Sequence, residues 1–206
     1  MAATTAIAAS PASAAINICT GNNCVATNEN VMVSAATNQA TINGTGASSG
    51  IGVLFTSSER LNGNANGQAD VSATDGLLNG LTFSLAGGAT FATATFNLFP
   101  LPGNAANQAV RVLLTYTGGS RTIDINTNGQ NFLGISGNAG ERFTSVGFVA
   151  DPATSGIQDL RQLRLGGVSA VPEPATWAMM FLGMGLVGAA HRHRSRRTGA
   201  WAGVTA

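Results

Sequence analysis

The sequence predicts an all-β domain, a β-sandwich of jelly-roll-like form, followed by a short C-terminal hydrophobic helix. Alternating apolar runs are the first observation. "GLTFSLAGG" sets Leu81, Phe83 and Leu85 on one strand face, and "TFATATFNLF" sets Phe96 and Leu98 on one side with Phe91 and Phe99 on the other. "VRVLLTYT" turns Val112, Leu114 and Tyr116 inward, "TIDIN" does so with Ile123 and Ile125, and "RFTSVGFVA" and "LRQLRL" close the series. A period of two is the mark of a half-buried strand. The second observation is Asn-Gly at Asn43, Asn62, Asn66, Asn79 and Asn128. That dipeptide enters positive φ cheaply and marks hairpin turns. Third, no stretch before Ala175 holds a helical period. About eight to ten short strands in one domain are expected from this spacing.

Composition narrows the class. The 206 residues suit one domain with a sizeable core. Only 9% are charged, which excludes a charged coiled coil and a highly charged disordered tail. No lysine occurs, and all ten basic residues are arginine. Between Ala15 and Ala170 six arginines face eight acids, leaving about −2. A slightly acidic body is a poor partner for a phosphate backbone, so nucleic acid is not expected.

The N-terminus reads as an export signal. Ala12-Ser13-Ala14 makes an A-x-A site just after the helix breaker Pro11, and signal peptidase accepts small residues at those positions. Residues 1–14 are therefore expected to be a signal peptide, cleaved near Ala14 or Ala15. With no positive n-region and only a short apolar stretch from Ala6 to Ala9, its first residues are expected to lie upstream. The only two cysteines, Cys19 and Cys24, follow that cleavage point in "CTGNNC". An even pair in an exported chain most simply forms a disulfide, against the alternatives of free thiols or a weak metal signal.

Residues 15–170 form the expected ectodomain, and the C-terminus differs sharply from it. From Ala175 to Ala190 there is no charge, and Met, Leu, Phe, Ala and Gly dominate. Sixteen helical residues span about 24 Å, short of a hydrocarbon core of about 30 Å. Trp177 sits at the outer edge, where an amphipathic ring prefers the interface, and Arg192, Arg194, Arg196 and Arg197 follow. Such a cluster stays cytoplasmic and leaves the body on the exported side; snorkelling arginines make up part of the missing length. Pro172-Glu173-Pro174, before the apolar run, forbid helix and hold an extended strip.

Pro172-Glu173-Pro174, then "ATWAMM", a Gly-studded apolar run and a terminal arginine cluster resemble the PEP-CTERM sorting signal of Gram-negative bacteria. The resemblance covers about the last thirty-five residues, with 171–197 as the signal and "TGAWAGVTA" (198–206) as a tail beyond the usual end. It implies recognition by an exosortase, a membrane protease or transpeptidase. It also implies transient anchoring in the inner membrane, cleavage near the Pro-Glu-Pro, and release or transfer to the envelope or matrix. The stretch from "GQNFLGISG" to "VPEP" is similar, more loosely, to the closing strands of PEP-CTERM ectodomains.

Chemistry in the body is sparse. His191 and His193 both lie in the arginine tail, which excludes Ser-His-Asp and Cys-His hydrolases and His-ligated zinc in the body. Lysine-based catalysis is excluded too. Asp124-Ile-Asn126-Thr-Asn128-Gly129 opens like a calcium loop, with oxygens at positions 1, 3 and 5. Its twelfth position is Ile135 rather than Glu, and a strand entering a hairpin explains the same string. Asp70 and Asp75 in "DVSATDG" are an alternative contributor to a structural Ca2+. A glycosidase needs two carboxylates on one cleft, Glu59 and Glu141 being an example pair, against the plainer reading of solvated acids. "GERF" (140–143) reads as a turn with Glu141 and Arg142 in solvent. Sugar binding is a guess from context, since both tryptophans lie outside the body and Tyr116 is its only tyrosine.

The expectation is a non-enzymatic, exosortase-processed envelope or matrix protein with a structural, adhesive or exopolysaccharide-associated role. It has no cofactor beyond that calcium option. The alternative is a secreted carbohydrate-active hydrolase with paired carboxylates.

Overall fold

In a computed structural model of the chain, residues 16–21, 24–101, 108–127, 132–138, 140–151, 156–170, 179–188 and 192 are described. The chain divides into two units, Met1–Ala170 and Val171–Ala206. Among the described residues the first contains twelve strands. They are β1 (Ile16–Thr20), β2 (Glu29–Val33), β3 (Ala36–Gly46), β4 (Gly52–Gly63), β5 (Asp70–Ala73), β6 (Gly80–Leu85), β7 (Thr93–Pro100), β8 (Gln108–Tyr116), β9 (Gly119–Thr127), β10 (Phe132–Gly137), β11 (Phe143–Ala150) and β12 (Ile157–Gly166). The all-β class is thus present, with more strands than the spacing suggested. One 3-10 turn, Ala86–Gly88, follows β6.

Among the described residues the strand pairings are all antiparallel and link into one network in the order β1-β10-β7-β12-β2-β3-β4-β6-β11-β8-β9. β5 bridges β12 and β4, which closes a circuit β12-β2-β3-β4-β5 inside the network. The corner is made in β12. Its first half pairs β5 through Asp159 to Arg161, and its second pairs β2 at Arg164 and Leu165. Between them Gln162 takes φ 55° in a register shift. A bulge of this kind bends a strand so that it can serve two sheet directions. Arg121 Nη1 in β9 lies 3.5 Å from the Ile16 carbonyl of β1, so the two ends of the strand order approach each other.

One core lies inside. Leu81, Phe83 and Leu85 alternate inward along β6, as do Val110, Val112 and Leu114 along β8. Phe83 meets Phe96 edge-on at 5.5 Å although β6 and β7 are not hydrogen-bonded neighbours, so the two halves of the network share one interior. Such a pair adds about 0.5–1.5 kcal/mol beyond its burial.

Three expectations change. Phe91 was placed opposite Phe96, but it is wholly buried, stacked on Phe83 at 6.0 Å and bridged by backbone to Phe143. A bend at Ala92 interrupts the alternation there. Arg142 is not in solvent: its Nε donates to Thr90 Oγ1 at 2.7 Å, and its Nη2 donates to the Thr90 carbonyl at 3.1 Å and to the Gly167 carbonyl. Asn43-Gly44, Asn62-Gly63 and Asn79-Gly80 are not hairpin turns but parts or starts of β3, β4 and β6. Gly44 is there for space, because a Cβ would come within 2.8 Å of the Met32 carbonyl oxygen and 3.1 Å of Phe55 Cε2.

Candidate functional site

The register lines up two cross-strand rows on the outer face of six strands. One runs Thr41, Thr56, Thr82, Gly147, Leu113, Thr122; the next runs Asn43, Leu54, Ser84, Ser145, Thr115, Ser120. Neighbouring strands are about 4.8 Å apart, so the hydroxyls of Thr41, Thr56 and Thr82 and those of Ser84, Ser145, Thr115 and Ser120 stand as two short combs, the first interrupted at Gly147 and Leu113. Neither row contains a charge. The following row, Gly80, Val149, Arg111, Asp124, ends in two.

That margin holds a shallow cleft of about 610 Å³, lined among others by Arg111, Asp124, Asn126 and Asp151. Arg111 Nε donates to Asp124 Oδ1 at 2.8 Å, both side chains well exposed. The hydrogen bond from Arg111 holds the Asp124 carboxyl below its usual value. Asp124 and Asn126 point to the same side of β9, while Ile123 and Ile125 pack toward the core. The string is thus strand over Asp124 to Asn126, and Asp124 is already committed to a cation. Asn128 lies outside the described residues. Among these no group of three His, Cys, Asp or Glu side chains is arranged for a metal. Asp70 sits in β5, while Asp75 lies in the turn beyond it and accepts the Leu77 amide at 3.1 Å.

Glu59 lines a second cleft of about 400 Å³ with Asn38, Arg60, Thr74 and Asp75, and Glu141 is not among its lining residues. Glu59 also holds Asn79, accepting its backbone amide at Oε2 (2.9 Å) and its side-chain amide at Oε1.

The most constrained polar cluster was missed by the sequence reading. β5, β12 and β7 run side by side, with Asp70 beside Arg161 and Arg161 beside Asn97. Asp159 is 2% exposed and accepts from Arg161 Nη2 at 2.6 Å. Arg161 in turn lies over the Phe99 ring at 4.1 Å. Burial pushes the Asp159 carboxyl up to about 6; Arg161 opposes this and nearby Asp70 adds to it. Asp70 Oδ1, Asp159 Oδ1, Asn97 Oδ1, Thr95 Oγ1 and the Nε atoms of Arg161 and Arg164 are buried without a protein partner. Donors and acceptors in such proximity suit enclosed water. The signal was in "DLR": residues two apart on a strand share a face.

At the N-terminus Cys19 and Cys24 are joined in a disulfide, with Cα atoms 6.1 Å apart. The bridge lies against Gly134 of β10, the register partner of Cys19. Residues 1–14, with Ala12-Ser13-Ala14, lie outside the described residues.

In the second unit residues 179–188 are helical, and every side chain there is exposed, from Met179 to Val187. Arg192 is helical and exposed as well. Pro172, Glu173, Pro174, Trp177, Arg194, Arg196 and Arg197 lie outside the described residues. Among those described, no helix is long and apolar enough to cross a membrane.

A β-rich unit followed in the chain by a separate unit with an exposed apolar helix defines the class: a β-domain with a distinct C-terminal segment. Residues 170–197 match the PEP-CTERM protein-sorting motif, which marks an exosortase substrate, exported and sorted through the membrane toward the envelope. No curated protein and no solved structure shows significant similarity to the chain.

Proposed function

We propose that this chain delivers a β-body to the envelope, matrix or medium, where it serves as a structural or adhesive component in contact with exopolysaccharide. The observation that carries the reading is the sorting motif at 170–197 behind an all-β unit. The disulfide supports an oxidising destination. The two uncharged combs, Thr41, Thr56 and Thr82 in one and Ser84, Ser145, Thr115 and Ser120 in the other, support contact with a hydroxyl-rich neutral polymer rather than a charged one. We read the body as a sandwich, jelly-roll-like in curling an antiparallel network over one core, with the Phe83–Phe96 contact as its support.

Exosortase is the processing partner, acting on the strip at Pro172-Glu173-Pro174 while residues 175–190 hold the inner membrane and Arg192, Arg194, Arg196 and Arg197 remain inside. The body works without catalysis in this reading, and calcium at Asp124, Asn126 and Asn128 is a structural option. The hydrolase alternative draws on Asp70 and Asp159. Against it, Asp159 is 2% exposed and tied to Arg161.

The test replaces Pro172, Glu173 and Pro174 by Ala in an exosortase-positive host. The triple variant should accumulate uncleaved at the membrane. Normal cleavage and release would overturn the sorting reading, and hydrolysis of a polysaccharide panel, lost in Asp159→Asn, would favour the enzyme.

A further inference from the structure

We propose that Asn66 is a self-modification site, at which the chain converts an asparagine to aspartate and isoaspartate without an enzyme. The chemistry is local to the Asn-Gly dipeptide. The Gly67 backbone nitrogen, losing its proton, attacks Cγ of Asn66. The Cγ–Nδ2 bond breaks, ammonia leaves, and a five-membered succinimide ring forms. Water then opens either ring carbonyl, giving aspartate or isoaspartate. Glycine permits this because no side chain shields the attacking nitrogen.

The sequence contains five such dipeptides, of which Asn128-Gly129 lies outside the described residues. The other four differ in what holds them. Asn43 and Gly44 sit mid-strand in β3, with Gly44 paired to Val53 on one side and Val33 on the other. Asn62 and Gly63 pair with Ser72 and Val71, and Asn62 Oδ1 accepts the Asn38 amide at 2.9 Å. Asn79 is gripped by Glu59 through both its backbone and side-chain amides, its carbonyl accepts from Ala150 at 2.7 Å, and Gly80 pairs with Val149. In each case ring closure has to break a ladder or strip a side chain of its partners.

Asn66-Gly67 alone is held by none of these. It lies in the bend between β4 and β5, exposed, with Gly67 at φ 77° and open space where a Cβ would stand. Its neighbours close the loop instead, Asn64 donating to the Asp70 carbonyl at 3.0 Å and Asn66 to the Asn64 carbonyl at 3.0 Å. The Gly67 amide makes no hydrogen bond to the described residues. Attacking nitrogen and target carbon are both free to move, on a loop of low local stability. Conversion adds a negative charge, and in the isoaspartate form an extra backbone carbon, without touching the strands. Because the step is one-way, the converted fraction records the time since folding.

The experiment incubates the intact folded protein at neutral and mildly alkaline pH and follows each Asn-Gly peptide by mass spectrometry and isoaspartate-specific labelling. A parallel sample is kept in denaturant. Asn66 should gain one mass unit and isoaspartate in the folded protein, at least tenfold faster than Asn43, Asn62 and Asn79. In denaturant the four rates should converge, and Asn66→Gln should abolish the folded-state signal. An unchanged Asn66 while the denatured sample converts would overturn the proposal, as would equal rates at all four positions in the folded protein.

Discussion

Arg161 holds Asp159 from two positions further along the same strand, Nη2 to Oδ2 at 2.6 Å, with the carboxylate almost wholly out of water. Burial raises the folded-state Asp159 value to about 6 despite the arginine, whereas an unfolded aspartate titrates near 3.9. The folded protein therefore binds the proton more tightly. This group's contribution is most favourable below about pH 4 and is lost as pH rises through about 6. Of the charged groups facing it, Asp70 strengthens the effect and Arg161 limits it. The denaturation midpoint of the wild type, minus that of Asp159→Asn, should rise as pH falls from about 7 to about 4. A flat difference would show that Asp159 titrates normally.

Removing the other partner makes a different statement. Arg161→Ala leaves Asp159 buried beside Asp70 with no cation. Breaking a fully buried pair costs about 3–5 kcal/mol; with Arg161 partly exposed the loss should be about 2 kcal/mol at neutral pH. The Asp159 titration should also move above about 6 in carbonyl-resolved NMR. A stability change without that movement would assign the loss to the Phe99 contact alone.

How much of this was legible follows from which residues point inward. β6 and β8 could be read because their inward positions carry Leu81, Phe83 and Leu85, or Val110, Val112 and Leu114. β3 could not. Its inward residues are Ile42, Gly44 and Gly46, and two glycines give no hydropathy signal. The same crowding that demands glycine made Asn43-Gly44 look like a turn. Phe91 was misplaced because one bend reverses a period-two pattern. The sorting motif needed no fold at all, since it is a linear strip. The Asp159 site depends on β5, β12 and β7 meeting across about ninety residues, a pairing that no local pattern encodes.

The disulfide can be tested through the glycine beneath it. A Cβ on Gly134 would overlap Cys24 Sγ, come within 2.8 Å of Cys19 Sγ and within 3.1 Å of Val25 Cγ2. Gly134→Ala should cost about 1–3 kcal/mol in the oxidised protein, the range for overpacking. With the bridge reduced, both sulfurs can withdraw and the penalty should shrink. Reduction of the wild type should itself cost about 2 kcal/mol, because the closed loop is short. Equal penalties for Gly134→Ala with and without reductant, read from urea midpoints, would mean that the bridge does not confine this position.

A buried acid in the middle of the network sets the last prediction. Glu29, 6% exposed in β2, accepts the backbone amides of Ser49 at 2.7 Å and Ser48 at 3.2 Å through Oε1. Those amides belong to the turn that joins β3 to β4, so the carboxylate of one strand fixes the hairpin of the next two. Gly46 leaves the room for it, since a Cβ there would strike Glu29 Oε1. Glu29→Ala leaves two amides without their acceptor, at about 1–3 kcal/mol, more than an exposed turn contact is worth. Glu29→Gln keeps one oxygen for the turn and should retain roughly half of the stability. Hydrogen exchange at Ser48 and Ser49 is the discriminating measurement. Both amides should lose protection in Glu29→Ala while the β8 and β11 ladders keep theirs, and unchanged protection at Ser49 would show that the turn holds itself.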